Sequence, residues 1–262
     1  MGTAGDSGLH FYFGSSKGAS YLYGYAILVL ISLFPCPGVY MSLESLPIAV
    51  IDFETTGVDP RCCHPVEIAI VHMNWGADNA EVVYTKRFRP PVPIPLGASK
   101  IHHIYDSDVA DCNAFEDHLE EIQALLSGRV VSAYNLGYDL SILGIYSSLH
   151  SDFRGICGLM LSRFLDPYRR GKGAHRLVNV CARNGIVLEN AHEAASDALA
   201  SAKLLDLQLK MLQNMGKRFD DFDSFWDWHR SFAVADEENF IRYMKRKGFF
   251  DESRFFPWTK GT

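Results

Sequence analysis

The feature that most constrains this chain is an apolar, β-branched run at residues 47–53 (PIAVIDF) that closes on two acids, Asp52 and Glu54, before turning away through Thr55-Thr56-Gly57. By composition the run is a buried strand. Residues i and i+2 of a strand point to the same face, so Asp52 and Glu54 stand side by side. Paired carboxylates in an apolar strand repel each other and are costly to desolvate. A divalent cation removes both problems. Hard oxygen ligands suit Mg²⁺ or Mn²⁺ rather than zinc.

The next segments extend a sheet. Residues 65–75 (PVEIAIVHMNW) alternate, with Val66, Ile68, Ile70 and Met73 assigned to one face. Residues 81–88 (EVVYTKRF) follow a turn-rich GADNA stretch. The three runs read as successive antiparallel strands. The proline-rich 89–95 (RPPVPIP) is a connection and cannot be a central strand. Helical spacing then predicts a helix over 113–126, with Phe115, Leu119, Ile122 and Leu125 or Leu126 on its apolar face. A short strand is expected at 130–133, a helix at 138–149, and a shorter helix at 175–184 closed by Gly185. Ala198, Ala202, Leu205, Leu209 and Leu212 form a stripe on a long helix from about Ser196. A strand meander followed by alternating helices and strands gives an α/β domain over 46–213. Residues 214–262, with Phe222, Phe225, Trp226, Trp228 and Phe232, read as a helical C-terminal extension. Two readings stand for that aromatic tail: packing against the domain, or a polymerase-binding surface.

With 262 residues, 48% apolar and 21% charged, the composition is globular and excludes disorder, collagen and coiled coil as descriptions of the whole chain. A net charge of −6 argues against a DNA binder that is basic all over. It leaves room for a nucleic-acid enzyme with a locally basic groove and an acidic metal site. The six cysteines form no CxxC pair and read as free thiols, which fits a reducing, cytoplasmic compartment. Cys62-Cys63-His64 lacks the second pair a zinc site needs. The N-terminal segment, residues 1–45, is distinct. Its run 21–34 (YLYGYAILVLISLF) has three readings: a membrane anchor on the short side for a span, the core of an export signal, or sequence upstream of a true start at Met41.

Two more pieces complete the chemistry. In 133–143 (AYNLGYDLSIL) a strand ends, a helix begins, and Asp139 lies in the first helical turn, where the helix dipole alone would favour an acid. In 191–198 (AHEAASDA), His192 precedes a helix and Asp197 lies at its start, where a helix cap is the plainer explanation. Together, DFETTG at 52–57, YNLGYDLSIL at 134–143 and HEAASD at 192–197 resemble the three motifs of the DnaQ-like (DEDDh) 3′–5′ exonuclease family. That family includes the proofreading epsilon subunit of DNA polymerase III. The stretch 165–176 (LDPYRRGKGAHR) is similar to exonuclease-like proteins of actinobacteria.

The resemblance implies a ribonuclease-H-like fold, a mixed central sheet flanked by helices. It implies that Asp52, Glu54, Asp139 and Asp197 hold two Mg²⁺ or Mn²⁺ ions ~3.5–4 Å apart. His192 would take the proton from the attacking water, and the product would be a nucleoside 5′-monophosphate. Thr55 and His102 match positions at the terminal nucleotide; the family's glycine after that histidine is His103 here. Cys157 stands nearest the place where many relatives carry a further aspartate, so no role passes to it. The expected substrate is the 3′ end of single-stranded DNA. The alternatives are RNA 3′ ends and a non-catalytic subunit beside a DNA polymerase. Arg169, Arg170, Lys172, Arg176 and Arg183, and separately Lys86, Arg87 and Arg89, are candidate phosphate contacts or merely solvated basic residues.

Overall fold

The computed structural model describes residues 43, 45–60, 62–144, 154–169, 171 and 173–248. The readings of the apolar run 21–34 fall outside them. β1 (Pro47–Thr55), β2 (Pro65–Asn74), β3 (Glu81–Arg87), β4 (Val130–Ala133) and β5 (Gly155–Cys157) form one sheet in the order β3-β2-β1-β4-β5. The first three strands are the expected antiparallel meander, while β4 joins β1, and β5 joins β4, in parallel. The sheet is therefore mixed. The helices, in chain order, are α1 (Leu96–His102), α2 (Asp106–Val109), α3 (Leu119–Leu126), α4 (Leu136–Ile142), α5 (Gly158–Leu165), α6 (Leu177–Arg183), α7 (Ala194–Asn214) and α8 (Phe222–Lys247).

Both faces of β1 and β2 are covered, which is why their sequences are nearly all apolar. On one face, Ile48 and Val50 pack with Ala69, Val71 and Met73 against Ala194, Ala198, Ala202, Leu205 and Leu209 of α7. The alanines on α7 let the helix lie close to the sheet. On the other face, Ala49, Ile51 and Phe53 pack with Ile68 and Ile70 against Phe115, Ile122, Leu126, Leu136 and Leu140. Met73 thus belongs with Ala69 and Val71, not with Ile68 and Ile70. Its odd position puts it on the α7 side of the pleat.

Several boundaries differ from those read in the sequence. The helix expected over 113–126 divides into a 3₁₀ turn, Phe115–His118, and α3. The helix expected at 138–149 begins two residues earlier, at Leu136, and is described to Ile142. The long helix begins at Ala194 rather than Ser196. α1, α2 and β5 carry too few residues to show a period. Gln208-Leu209-Lys210-Met211-Leu212, which faintly resembles a sliding-clamp peptide, lies within α7 with Gln208, Leu209 and Leu212 buried.

Among its described residues, the tail carries one 26-residue helix, α8. Its N-cap Asp221 accepts a hydrogen bond from Ser224 N–H at 2.8 Å, and it ends at Gly248, whose φ of 72° is left-handed. Phe222, Phe225 and Trp226 join the α7-side core, and Ala233 joins the other. The fully buried Phe225 ring meets Trp75 edge-on at 5.0 Å and Phe219 at 5.3 Å. Among the described residues no helix is long and apolar enough to cross a membrane. Because Phe225 fills the core rather than a surface patch, Phe225→Ala should destabilise the protein by about 3–5 kcal/mol in urea unfolding. A cost under about 1 kcal/mol would show that α8 is merely appended.

Candidate active site

Four acids and a histidine arrive from three directions at the end of β1. Asp52 and Glu54 continue the face that Ile48 and Val50 present to α7, and Asp52 lies opposite the small Ala69. Asp197, one turn into α7, meets them from that side. Asp139 comes from the first turn of α4, packed below the other face. Its Oδ1 accepts a hydrogen bond from the Phe53 N–H at 3.2 Å, which ties the start of α4 to the backbone between the two β1 acids. His192 is exposed at the turn before α7, and its backbone N–H donates to Asp197 Oδ2 at 3.2 Å. One donor atom each from Glu54, His192 and Asp197 lie within 4.8 Å of one another.

The electrostatics record how crowded this corner is. Burial pushes the Asp52 carboxyl well up from its ordinary pKa, and the charges of Asp139, Asp197, Glu54 and Glu67 push it further. Burial, then Asp197, Glu67 and Asp139, raise Glu54 to about 8. Burial raises Asp139 to about 8 against the stabilising bonds from its own and the Phe53 N–H. Asp197 is also raised, by burial first, with the His192 N–H opposing. Its Oδ1 is buried with no hydrogen-bond partner among the described residues. An unsatisfied carboxylate oxygen at the centre of repelling acids is costly. An all-oxygen donor set of this kind fits a hard divalent cation.

The surrounding residues are held firmly. Thr55 is buried, and its hydroxyl lies 2.5 Å from Tyr138 OH, with the Gly57 carbonyl accepting from Tyr138 at 2.6 Å. The Cys63 thiol lies 3.5 Å from the same phenol oxygen. His102 is buried at the end of α1, where its Nδ1 accepts from the Ile104 N–H at 3.1 Å. Burial lowers its pKa, opposed by the Thr55 backbone and Glu67. His103 follows as the C-cap of α1 with φ 59°, the left-handed conformation that a glycine adopts freely. The histidine therefore holds, at the cost of strain, a backbone conformation that a glycine would take freely.

The basic residues are mostly engaged. Arg87 binds Glu67, Arg89 donates to the Ala110 carbonyl, Arg183 to the Ala174 carbonyl, and Arg169 pairs with Asp166. Arg170 and Lys172 lie outside the described residues. Cys157 ends β5, buried, and its backbone N–H donates to His229 Nε2.

Sequence reasoning missed Glu67. It is buried on β2, directly opposite Glu54, and it hydrogen-bonds Arg87 and the Ala194 N–H at the start of α7. The available signal was an acid standing between Val66 and Ile68 in an otherwise apolar strand.

Comparison with known proteins places this arrangement. The chain matches over 70% of its length to exonuclease X in complex with 5′ overhanging duplex DNA, covering 99% of that chain, with 22% identity and a TM-score of 0.51. A zinc-bound E. coli exonuclease I complexed with single-stranded DNA matches 71% of this chain and 44% of its own, with 18% identity and a TM-score of 0.56. The fold is thus the ribonuclease-H-like exonuclease fold. The Exonuclease family model, RNase_T, matches residues 49–205. The chain belongs to this family of hydrolytic nucleases and is of the DnaQ-like 3′–5′ type. Among curated relatives, the PolC-type DNA polymerase III of Thermotoga petrophila is 25% identical over 67% of this chain. That of Streptococcus pneumoniae is 28% identical over 66%. The chain spans only 12–13% of the length of these two relatives.

The crowded acids make a pH prediction. Carboxyl groups whose pKa is raised by folding hold protons that the unfolded chain has already lost above about pH 4. Stability therefore falls as the pH rises towards about 8, where Glu54 and Asp139 ionise in the folded protein. In EDTA, Tm should drop between about pH 5 and about pH 8.5; Mn²⁺, or Asp139→Asn without metal, should flatten the slope. A metal-free Tm that climbs over this range would contradict the arrangement.

Proposed function

We propose that this chain is a divalent-metal-dependent 3′–5′ exonuclease that hydrolyses the terminal phosphodiester bond of single-stranded DNA and releases nucleoside 5′-monophosphates, in proofreading or repair. The observation that carries the reading is the meeting of Asp52, Glu54, Asp139 and Asp197 beside His192, with a buried Asp197 oxygen that lacks a partner. The four acids are the residues that would hold two Mg²⁺ or Mn²⁺ ions. When bound, such ions activate water and neutralise charge on the departing 3′ oxygen.

The chain's own groups do the rest. His192 is exposed, and a ring nitrogen lies within 4.8 Å of the acid oxygens, so the imidazole accepts the proton of the attacking water there. Phe53 N–H fixes Asp139, and the Asp197 carboxylate fixes the His192 backbone, so neither has to be ordered at the moment of reaction. The Thr55 backbone, locked by the bonds to Tyr138 and Gly57, and the buried His102 beside it receive the terminal nucleotide. A DNA substrate is supported by the relatives: the curated ones are DNA polymerases, and the structural ones were solved with DNA. The curated relatives also support a place beside a DNA polymerase.

The test uses 5′-labelled single-stranded DNA and RNA of equal sequence with Mg²⁺ or Mn²⁺. The expected result is a ladder shortening from the 3′ end, faster on DNA and absent in EDTA or in Asp197→Ala. His192→Ala should slow cleavage by roughly 10²–10⁴-fold. No cleavage by a folded, ion-binding protein would replace this reading with a non-catalytic binding subunit.

A further inference from the structure

Glu67 belongs to none of the sequence motifs, yet it sits where the sheet and α7 meet. It is opposite Glu54 on β2 and opposite Arg87 on β3, so Glu54, Glu67 and Arg87 form a row across three strands on the α7 side of the sheet. Carboxylates directly opposite one another on neighbouring strands are destabilising. A buried acid kept there against that repulsion needs a role. Its two oxygens are divided between two partners. Oε1 accepts from Arg87 Nε at 2.8 Å, and Oε2 accepts from the Ala194 N–H at 3.3 Å, 127 residues away in sequence.

The second bond matters because of what Ala194 begins. It is the first residue of the 21-residue α7, whose own N-cap, Glu193, makes no side-chain capping bond. The N-terminal N–H groups of a helix need acceptors, and an anion at that end is stabilised by the helix dipole. Here the cap comes from the sheet. The turn it secures is strained: His192 has φ 72°, a conformation that an L side chain rarely adopts and that persists only when its surroundings over-determine it. Within the turn, the Glu193 N–H donates to the Asn190 carbonyl at 3.2 Å and the Asn190 amide donates to the Glu193 carboxylate at 3.1 Å; His192 N–H to Asp197 and Ala194 N–H to Glu67 tie the turn to α7 and to the sheet.

We propose that Glu67 is a positioning residue: as an N-terminal cap supplied in trans from β2, it holds the strained His192 turn and the start of α7 at a fixed place relative to Asp52 and Glu54. This rests on the exonuclease reading for its catalytic consequence. Its structural part stands apart from that reading. Glu67 touches no reacting atom, and it acts through the Ala194 N–H. What matters is an acceptor at that position, which a glutamine also supplies.

The experiment compares Glu67→Ala and Glu67→Gln in the full chain by hydrogen exchange over residues 191–198 and by exonuclease kinetics. In Glu67→Ala, exchange in this segment should speed up by roughly tenfold or more, with the β1 amides unchanged. The kcat should fall roughly 10- to 100-fold with the KM for the oligonucleotide nearly constant, since a misplaced base slows the reaction without removing substrate contacts. Glu67→Gln should recover most of both. An unchanged exchange pattern in Glu67→Ala overturns the proposal, and so does a Glu67→Gln as impaired as Glu67→Ala. If Glu67→Ala fails to fold, Glu67→Gln decides alone: exchange near wild type over 191–198 supports the capping role, and faster exchange there overturns it. If the wild-type chain cleaves nothing while the exchange results hold, the exonuclease reading fails and the capping role stands.

Discussion

The structure depends on the repulsion between carboxylates gathered at the end of β1. Among the described residues no cation pairs with Asp52, Glu54 or Asp139; burial raises all three, neighbouring carboxylates raise Asp52 and Glu54 further, and nearby Arg87 is engaged by Glu67. Such a cluster is tolerable only if the fold forces it and something else supplies positive charge. The sheet forces half of it, because the pleat cannot separate Asp52 from Glu54. Helices on opposite faces force the rest. The alanine face of α7 seats Asp197 against the sheet, and the bond from Phe53 N–H to Asp139 seats α4. A divalent ion is the counter-charge that this geometry lacks.

Support for the site extends to the tail. His229 of α8 is buried, and burial lowers its pKa to about 4, so its Nε2 is an acceptor for the Cys157 N–H at the end of β5. The Cys157 thiol and the Leu159 N–H both bind the Tyr134 carbonyl, at the turn that leads from β4 into α4. The Tyr134 hydroxyl in turn donates to the His175 carbonyl at 2.7 Å. A continuous set of polar contacts therefore runs from α8, through β5, to the helix that carries Asp139. Cys157 serves this packing through both its backbone N–H and its thiol.

The meander was legible because its apolar, β-branched runs are separated by turn-rich stretches, and the long helix because the alanine–leucine stripe commits residues to one face. Asp52 and Glu54 were legible because paired acids are expensive in an apolar strand, whereas Asp139 and Asp197, which a helix dipole or a cap would explain singly, were legible only through the resemblance of the three motifs to a known family. Glu67 escaped notice for the reason that Met73 was put on the wrong face: β2 is buried on both sides, so alternation carries no information there. The short helices α1 and α2 lie after a proline-rich stretch and have no period to read. Among the candidate basic residues, Arg87 and Arg183 have partners that no sequence spacing reveals, Glu67 and the Ala174 carbonyl.

The central claim is that the acids at the end of β1 share protons when empty and exchange them for divalent ions. Calorimetric titration of the metal-stripped protein with Mn²⁺ near pH 7, in two buffers of different ionisation enthalpy, counts the protons released per ion. The account predicts saturable binding with net proton release, since Glu54 and Asp139 titrate near 8 in the empty site. Binding without proton release, or no binding at all, would contradict it.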